Sequence, residues 1–243
     1  MKRYFIILLV VLILLFSSLG FSRELHVNTW IPYFANGATL KILSPNEVVF
    51  NIVRKNPGPK SDIFTHGYTY LLSNLIPVDK DWKKIVVKGT WWREKGPENY
   101  QEIIFTLFAK RPPFPHGRKI GCALVTNFIG VSYGSWPREG IGFHDMGKDL
   151  TEKTGKEMKR AIPKTPREFK LVLYRKGESW WEYWEKDKDG KWNKLYEQEV
   201  SFIFSGLKYP FTNFYIKIGG WTTWEHPIES KVHFKNLSIT YEK

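Results

Sequence analysis

Apolar and polar residues alternate with a period of two along most of the chain, in short runs rich in β-branched and aromatic side chains. Clusters of Gly, Pro, Asn and Asp separate these runs, which is the pattern of a sandwich or barrel of antiparallel strands. The alternation predicts strands over residues 39–43, 48–53, 68–72, 84–92, 102–109, 121–126, 130–133, 141–144, 169–174, 180–185, 195–204, 214–218 and 232–241.

Turn-forming residues mark the connections between these strands. Residues 44–47 (Ser-Pro-Asn-Glu) predict a tight turn, and residues 187–190 (Asp-Lys-Asp-Gly) predict the tip of a hairpin. One short helical excursion is predicted near 149–162, with Asp149 as its N-cap and Glu152 three residues later. Because Gly155 interrupts this helix and its apolar face is thin, we expect it to lie at the surface.

The predicted strand 180–185 carries aromatic residues on both of its faces. Trp180, Glu182 and Trp184 alternate with Trp181, Tyr183 and Glu185. A core-facing Glu182 would need a buried partner, so we expect Trp181 and Tyr183 to face the interior and the Trp180 set to face away from it. An alternative is that Glu182 is an exposed carboxylate paired with a cross-strand lysine.

The last predicted strand changes phase along its length. Val232 and Phe234 point one way, whereas Leu237 and Ile239 resume with the opposite parity. A β-bulge near residues 235–236 accounts for this change.

Composition indicates a globular and basic protein. The chain has 243 residues, of which 42% are hydrophobic, with 37 Lys and Arg against 24 Asp and Glu. That apolar content excludes a disordered chain, and the length suits one β-domain. The charge of +13 is spread along the sequence, so it is compatible with acidic polysaccharide, anionic lipid or a cell wall, and also with a solvated lysine-rich surface. Cys122 is the single cysteine, which we interpret as a buried, inert thiol.

The N-terminus has the layout of a secretory signal. Lys2 and Arg3 precede an apolar run over residues 4–16, and small residues follow it. We expect a signal peptide over residues 1–22, cleaved after Gly20 or after Ser22, and a single β-sandwich domain over 23–243. The protein is then secreted or held at the cell surface, and nucleic acid is not its partner. The alternative is an uncleaved membrane anchor, the one case that makes the membrane a partner.

The C-terminal two-thirds of the chain resembles a known superfamily. Residues 168–171 (Glu-Phe-Lys-Leu) lead into a Trp-rich hairpin, followed by residues 214–220 (Phe-Tyr-Ile-Lys-Ile-Gly-Gly) and a closing strand with Phe234 and Asn236. This ending is similar to that of the concanavalin A-like lectin and glucanase jelly rolls, over about residues 80–243. The resemblance implies an all-β, antiparallel two-sheet jelly-roll sandwich, and a polysaccharide ligand on the concave face of one sheet.

Two enzyme motifs of jelly-roll proteins are matched in part. Glucanases carry Glu-x-Asp-x-x-Glu or Glu-x-Asp-x-Glu on one strand. Glu185, Asp187 and Asp189 have this alternation without the final Glu, and since Gly190 follows them we interpret the group as a solvated turn.

The second motif is that of the alginate lyases. Tyr215, Lys217 and Gly219 resemble their Tyr-x-Lys-x-Gly strand, in which the tyrosine and a histidine handle the proton alpha to a uronate carboxylate. The accompanying Arg-x-Glu-x-Arg and Gln-x-His motifs are absent from this sequence. His144 is a candidate for the missing base, and a structural histidine beside Asp145 is the alternative.

The sequence predicts no transition-metal site, because the six histidines have no ligand-like spacing. No cofactor is expected, and structural calcium bound by loop oxygens would leave no signature at this level.

The leading hypothesis for function is a secreted protein that binds polysaccharide, neutral or acidic, through a Trp- and Tyr-lined face. The alternatives are a polysaccharide-degrading hydrolase or lyase of jelly-roll type, and a structural surface protein. Trp180, Glu182 and Trp184 are expected to lie near Tyr215, Lys217 and Trp221 in space. The candidate ligand-binding residues are Trp92, Trp180, Glu182, Trp184, Tyr215, Lys217, Trp221 and Trp224.

Overall fold

The structure is a computed structural model. It describes residues 21–35, 37–54, 68–96, 101–108, 128–135, 139–146, 152–154, 163–176, 178–199, 213–222 and 228–243. Within these ranges the described secondary structure is almost entirely strand, with one 3₁₀ turn over Val27–Thr29. Among the described residues, no helix is long and apolar enough to cross a membrane.

The strands form two antiparallel sheets. Sheet A contains the Trp-rich hairpin and the last described strand, in the order β14-β13-β12-β7-β16-β4-β3, with β1 also paired to β16. Its strands are β1 (Phe21–Glu24), β3 (Thr39–Ser44), β4 (Glu47–Arg54), β7 (Lys84–Lys95), β12 (Arg167–Lys176), β13 (Glu178–Lys186), β14 (Trp192–Glu199) and β16 (Ile228–Glu242).

Sheet B has the order β11-β10-β9-β8-β15-β5-β2, with β6 also paired to β15. Its strands are β2 (Ile31–Ala35), β5 (Tyr68–Leu72), β6 (Ile76–Pro77), β8 (Gln101–Phe108), β9 (Phe128–Ser135), β10 (Glu139–Met146), β11 (Glu152–Thr154) and β15 (Asn213–Thr222). The expected all-β, two-sheet sandwich is therefore confirmed.

Alternate residues of both sheets meet in one hydrophobic core between them. Sheet A contributes large rings such as Trp91, Phe169 and Trp181, and sheet B contributes the β15 residues Phe214, Ile216 and Ile218, all at most 1% exposed. Burial of such side chains is the main favourable term in folding, worth roughly 1.5–3 kcal/mol for each large apolar side chain. The face of each sheet turned away from this core is called its outer face below.

The bulge expected in the last strand is confirmed. The register of β16 against β7 shifts between Lys235 and Ser238, and Asn236 has φ 54°. Asparagine tolerates this left-handed conformation better than most residues. The backbone N–H of Asn236 donates to the backbone carbonyl of Asn46 at 2.8 Å. The extra residue restores inward parity, so that Phe234 and Leu237 are both buried in the core.

The helical excursion expected near 149–162 is wrong where the structure describes it. Residues 152–154 form strand β11, which pairs with β10 through His144↔Thr154 and Met146↔Glu152. The edge strand β10 offers this segment backbone hydrogen bonds. A helix formed by the same residues would have too few apolar side chains on one face to pack against the protein. Asp149 and Gly155 lie outside the described residues.

Most of the predicted strands are present, with ends that differ by a few residues. The sequence pattern did not reveal the short or edge strands β1, β2, β6 and β11. The strand predicted over 121–126 and the second half of that over 195–204 lie outside the described residues.

Candidate functional site

The candidate residues divide between two opposite faces of the sandwich. Glu182 and Trp184 lie on β13 in sheet A, whereas Tyr215 and Lys217 lie on β15 in sheet B. Both pairs alternate with buried core residues of their own sheet, so both outer faces point away from the core and from each other. The orientation expected for Glu182 and Trp184 is confirmed. The expectation that they lie near Tyr215, Lys217 and Trp221 is wrong, because strand parity is local whereas membership of a sheet is set by distant pairings.

Glu182 on the outer face of sheet A is held by its neighbours. Its Oε2 atom accepts hydrogen bonds from Trp184 Nε1 at 2.8 Å and from the Tyr174 hydroxyl at 3.3 Å. Lys194 Nζ on the adjacent strand lies 3.6 Å from its other oxygen. Burial, together with the Glu182 carboxylate, raises the pKa of Tyr174 to about 12, so that phenol remains a donor. The cross-strand lysine of the alternative for Glu182 is thus present, but Glu182 is 7% exposed and is not the exposed carboxylate that the alternative expected.

The tryptophan rings beside Glu182 are covered by lysines. Lys170 Nζ lies 4.4 Å from the ring centroid of Trp184 and 4.8 Å from that of Trp192. Lys194 approaches the Trp184 ring as well, at 5.7 Å. Desolvation lowers the pKa of Lys170, as expected for an ammonium group between two rings. The donors and ring faces of this cluster are engaged within the protein, which favours a structural role for it.

Trp92 also lies on sheet A, on strand β7. Its ring stacks on His233 of β16, with ring centroids 4.3 Å apart and planes 11° apart. His233 Nε2 is 2.7 Å from Glu94, and its Nδ1 is 3.6 Å from Glu47. Trp92 is therefore part of a local stack on sheet A and is not grouped with Tyr215 or Lys217.

Tyr215 and Lys217 lie at the centre of sheet B, where β15 is flanked by β5 and β8. Tyr215 is half-buried, and Lys217 is 3% exposed although it faces away from the core. Lys217 Nζ lies 5.0 Å from the ring centroid of Tyr70 on β5. This is a cation–π contact in a desolvated setting, where such contacts are strongest.

Three tyrosines continue this outer face towards the edge of sheet B. Tyr70 is buried with Tyr68 and Tyr33 packed against it, and the Tyr68 and Tyr70 rings stack with centroids 5.8 Å apart. Gly219 permits the arrangement, because a Cβ atom there would lie 2.2 Å from the carbonyl oxygen of Thr69 and 3.0 Å from Tyr70 Cδ1. Its φ of 140° is also one that side-chain-bearing residues rarely adopt.

Backbone register extends the outer face of sheet B across β8, β9 and β10. Directly paired residues of antiparallel strands lie on the same side of a sheet. Lys217 is paired with Thr106, Thr106 with Gly130, and Gly130 with His144. We call these four positions the Lys217 row.

The neighbouring rows of this face are rich in glycine. Gly219 is paired with Ile104, then Ser132 and Gly142 follow, and the next row runs from Trp221 through Glu102, Gly134 and Gly140. A glycine position adds no side chain above the sheet. The outer face of sheet B thus combines a lysine, several tyrosines, a histidine position and a glycine-rich half, which suits an extended polar ligand.

The residues that resemble a glucanase motif do not form a catalytic pair. Glu185 is 0% exposed on the core side of β13, where Tyr183 and Arg167 donate to it at 3.2 and 3.1 Å. Burial raises the pKa of Glu185 to about 8. Asp187 accepts from the amides of Asp189 and Lys191 at 3.0 and 2.8 Å, so the expected hairpin tip is confirmed.

Within the described ranges, no group of three or more His, Cys, Asp or Glu residues is arranged to hold a metal ion.

The remaining sequence candidates are placed only in part. Trp180 of β13 is paired with Tyr174 of β12, and Trp221 of β15 is paired with Tyr68 of β5. Trp224 lies outside the described residues. Sequence reasoning missed Tyr33, Tyr68 and Tyr70. The Tyr-x-Tyr alternation in 68–70 was a signal for a common face, but only the pairing of β5 with β15 brings that face beside Lys217.

The chain was compared with protein-family models, curated proteins and solved structures. No protein-family model matches the chain, and no curated protein matches it. Among solved structures it is similar to lectin II from Ulex europaeus, with 12% identity, coverage of 93% of this chain and 100% of that one, and a TM-score of 0.54. It is also similar to endo-β-1,4-glucuronan lyase from the fungus Trichoderma reesei, with 8% identity, 90% and 94% coverage, and a TM-score of 0.52. Alginate lyase A1-II′ matches with 8% identity, 86% and 85% coverage, and a TM-score of 0.50.

The fold is the concanavalin A-like jelly roll. At 8–12% identity these likenesses concern the fold alone. The resemblance seen in the last two-thirds of the sequence is therefore confirmed at the level of the fold, and the alignments extend over 86–93% of the chain.

Proposed function

We propose that this protein is exported and binds an acidic polysaccharide along the outer face of sheet B. The observation that carries the proposal is the Lys217 row, which places Lys217, Thr106, Gly130 and His144 across four adjacent strands. Neighbouring strands are about 4.8 Å apart, so such a row offers an extended chain a series of contacts along its length.

Lys217 favours an acidic ligand over a neutral one. Its nitrogen is buried beside the Tyr70 ring, so it acts on a bound carboxylate through its charge, and this attraction is stronger in a low-dielectric setting than in water. The half-buried Tyr215 on the same strand supplies a hydroxyl that can donate to a sugar oxygen. The net charge of +13 adds a long-range attraction for a polyanion.

The fold supports a carbohydrate as the ligand class by analogy. Its neighbours include a lectin and lyases named for glucuronan and alginate. Fold does not determine function, so the residues on the outer face of sheet B carry the argument and the neighbours support it.

The proposal is tested by retention of the purified protein on immobilised polyglucuronate and alginate, with a neutral glucan as reference. Lys217→Gln is compared with Lys170→Gln, which removes the same charge from the opposite face. We expect Lys217→Gln to weaken retention on the acidic polymers about tenfold, because it removes one attractive buried charge, while Lys170→Gln stays within about twofold of wild type.

Thermal unfolding checks that both variants are folded. Equal losses in the two variants would mean that retention reflects net charge alone. Absence of retention on every polymer would favour the structural surface protein named among the alternatives.

A β-eliminating lyase is the second candidate, and the Tyr-x-Lys-x-Gly pattern favours it, because Tyr215 and Lys217 lie on one face of β15. His144 is three strand spacings from Lys217, or about 14 Å across the sheet, so it does not act on the same sugar residue as Tyr215. In such a lyase a base removes the proton alpha to the uronate carboxylate, and the glycosidic oxygen at C4 leaves with the electrons and gains a proton. Tyr215, deprotonated, would remove the alpha proton and then donate it to the leaving oxygen, and the charge of Lys217 would stabilise the negative charge that develops on the carboxylate.

The lyase reading is tested by the ultraviolet absorbance of unsaturated uronates during incubation with the same acidic polymers. We expect Tyr215→Phe to lower the rate about a hundredfold or more while retention is kept, and His144→Gln, three strands away, to leave the rate within about twofold of wild type. Retention without product formation by the wild-type protein would leave binding as the function.

A further inference from the structure

We propose that Tyr33 and Tyr68 form a stacking subsite at the β2 edge of sheet B, so that the bound polysaccharide crosses the strands from Lys217 towards Tyr33. This inference rests on the proposed function, and it adds the direction of the ligand and a preference for longer chains. Neither Tyr33 nor Tyr68 belongs to the glucanase-like or lyase-like motif described above.

Register places these tyrosines beside the cationic part of the same face. Tyr33 is paired with Tyr70, and Tyr70 is paired with Gly219, two residues along β15 from Lys217. Tyr68 lies two residues from Tyr70 on β5 and therefore on the same side. The three rings form one aromatic surface that begins at the Lys217 ammonium group.

Burial separates the roles of the three rings. Tyr70 is 1% exposed and has Tyr33 and Tyr68 packed against it, so it acts as the support. Tyr33 and Tyr68 are only half-buried, and each keeps part of its surface for a ligand. Stacking with Tyr70 fixes the Tyr68 ring, so little side-chain entropy is lost when a sugar packs on it.

The dimensions suit a ligand of several sugar residues. Tyr33 lies two strand spacings across the sheet and two residues along the strands from Lys217, about 12 Å away, and Tyr68 lies one spacing and four residues away, about 14 Å. From the His144 strand β10 to β2 there are five strand spacings, or roughly 24 Å. A short oligosaccharide at Lys217 would not reach Tyr33, whereas a longer one would.

The two parts of this face recognise different features of the ligand. Lys217 interacts with a carboxylate, and this attraction weakens as salt is added. An aromatic ring contacts the apolar side of a sugar, an interaction that depends little on charge or salt. Chain length and salt can therefore distinguish the two contributions.

The test measures binding of oligoglucuronates by titration calorimetry, comparing disaccharides with hexasaccharides at low and high salt. We expect Tyr68→Ala to weaken hexasaccharide binding about three- to tenfold and to leave disaccharide binding unchanged, with the same salt dependence as wild type. Tyr68→Phe keeps the ring and should bind as wild type does. Lys217→Gln should weaken binding of both lengths and reduce the salt dependence.

Equal loss of both lengths in Tyr68→Ala, or no loss of either, would overturn the subsite. Failure of the wild-type protein to bind any oligoglucuronate would instead reject the proposed function. Thermal unfolding of Tyr68→Ala and Tyr68→Phe reports whether removal of the ring disturbs the Tyr70 support, and Tyr33→Ala repeats the test on a neighbouring strand.

Discussion

The ammonium nitrogen of Lys217 lies 5.0 Å from the ring centroid of Tyr70, although the two residues are far apart in the sequence. Both residues are almost fully buried, and both lie on the outer face of sheet B. Their contact joins the cationic part of that face to its aromatic part. It exists because β5 pairs with β15, and because Gly219 lets the Tyr70 ring lie close to the β15 backbone.

Replacing Gly219 should destabilise the protein strongly. In Gly219→Ala the new Cβ atom would meet the carbonyl oxygen of Thr69 at 2.2 Å, and the backbone φ of 140° adds strain. We expect the free energy of unfolding to fall by about 3 kcal/mol or more, measured by urea denaturation.

Gly190→Ala is a matched control, because Gly190 also has a positive φ but no atom within 4 Å of its Cβ position. We expect a loss of only about 1 kcal/mol there. Similar losses in the two variants would show that backbone strain, and not the contact with Thr69 and Tyr70, is the dominant effect.

The stability of the protein should depend on the ionisation of Glu185. Its native pKa is raised to about 8 by burial, whereas an unfolded chain gives a glutamate pKa of about 4.3. Between these values the native state retains a proton that the unfolded state has lost. Stability contributed by the protonated carboxyl is therefore full below about pH 4 and is lost as the pH rises towards 8 and beyond.

Glu185→Gln removes this dependence while keeping a neutral group beside Tyr183 and Arg167. As the pH rises from 5 to 9, we expect the wild-type protein to lose free energy of unfolding relative to the variant. The loss is at most about 1.4 kcal/mol per pH unit. A difference that stays constant with pH would mean that Arg167, 3.1 Å away, keeps Glu185 ionised throughout.

The two faces of β13 should respond differently to the loss of a tryptophan. Trp181 is 0% exposed in the core, so Trp181→Ala should lower the free energy of unfolding by about 3–5 kcal/mol. Trp184 is half-buried on the outer face, and its loss removes one hydrogen bond to Glu182, worth about 1–2 kcal/mol.

Retention on polyglucuronate tests whether Trp184 contributes to binding. We expect Trp184→Ala to keep wild-type retention, because the site proposed above lies on the other sheet. A large loss of retention in a folded Trp184→Ala protein would mean that the ligand binds to sheet A beside Trp184, one of the residues that the sequence analysis named as a candidate.

If the N-terminal segment is a signal peptide, as the sequence predicts, it should be cleaved after Gly20. Phe21 and Ser22 of β1 pair with Tyr241 and Thr240 of β16. Cleavage after Ser22 would remove these two pairs from the ladder. We expect Edman sequencing of the secreted protein to start at Phe21, and a start at Arg23 would contradict this.

The sequence by itself determined the strand class and the two faces of most strands. Because side chains alternate along an extended backbone, Trp181 and Tyr183 were assigned to the core and Glu182 and Trp184 to the outside before any partner strand was known. The same local logic located the bulge at Asn236 and the hairpin tip at Asp187.

Only the tertiary structure decided which strands share a sheet. Alternation carries no information about the partner of a strand, because inter-strand hydrogen bonds join segments that are distant in the sequence. Trp184 and Tyr215 therefore looked equivalent in the sequence yet lie on opposite faces. The row that joins Lys217 to the His144 position, and the contact of Tyr70 with Lys217, depend on the register of five strands, β5, β15, β8, β9 and β10. Residues 152–154 formed a strand where a helix was predicted, because the open edge of β10 satisfies backbone groups that a short helix with a thin apolar face could not bury.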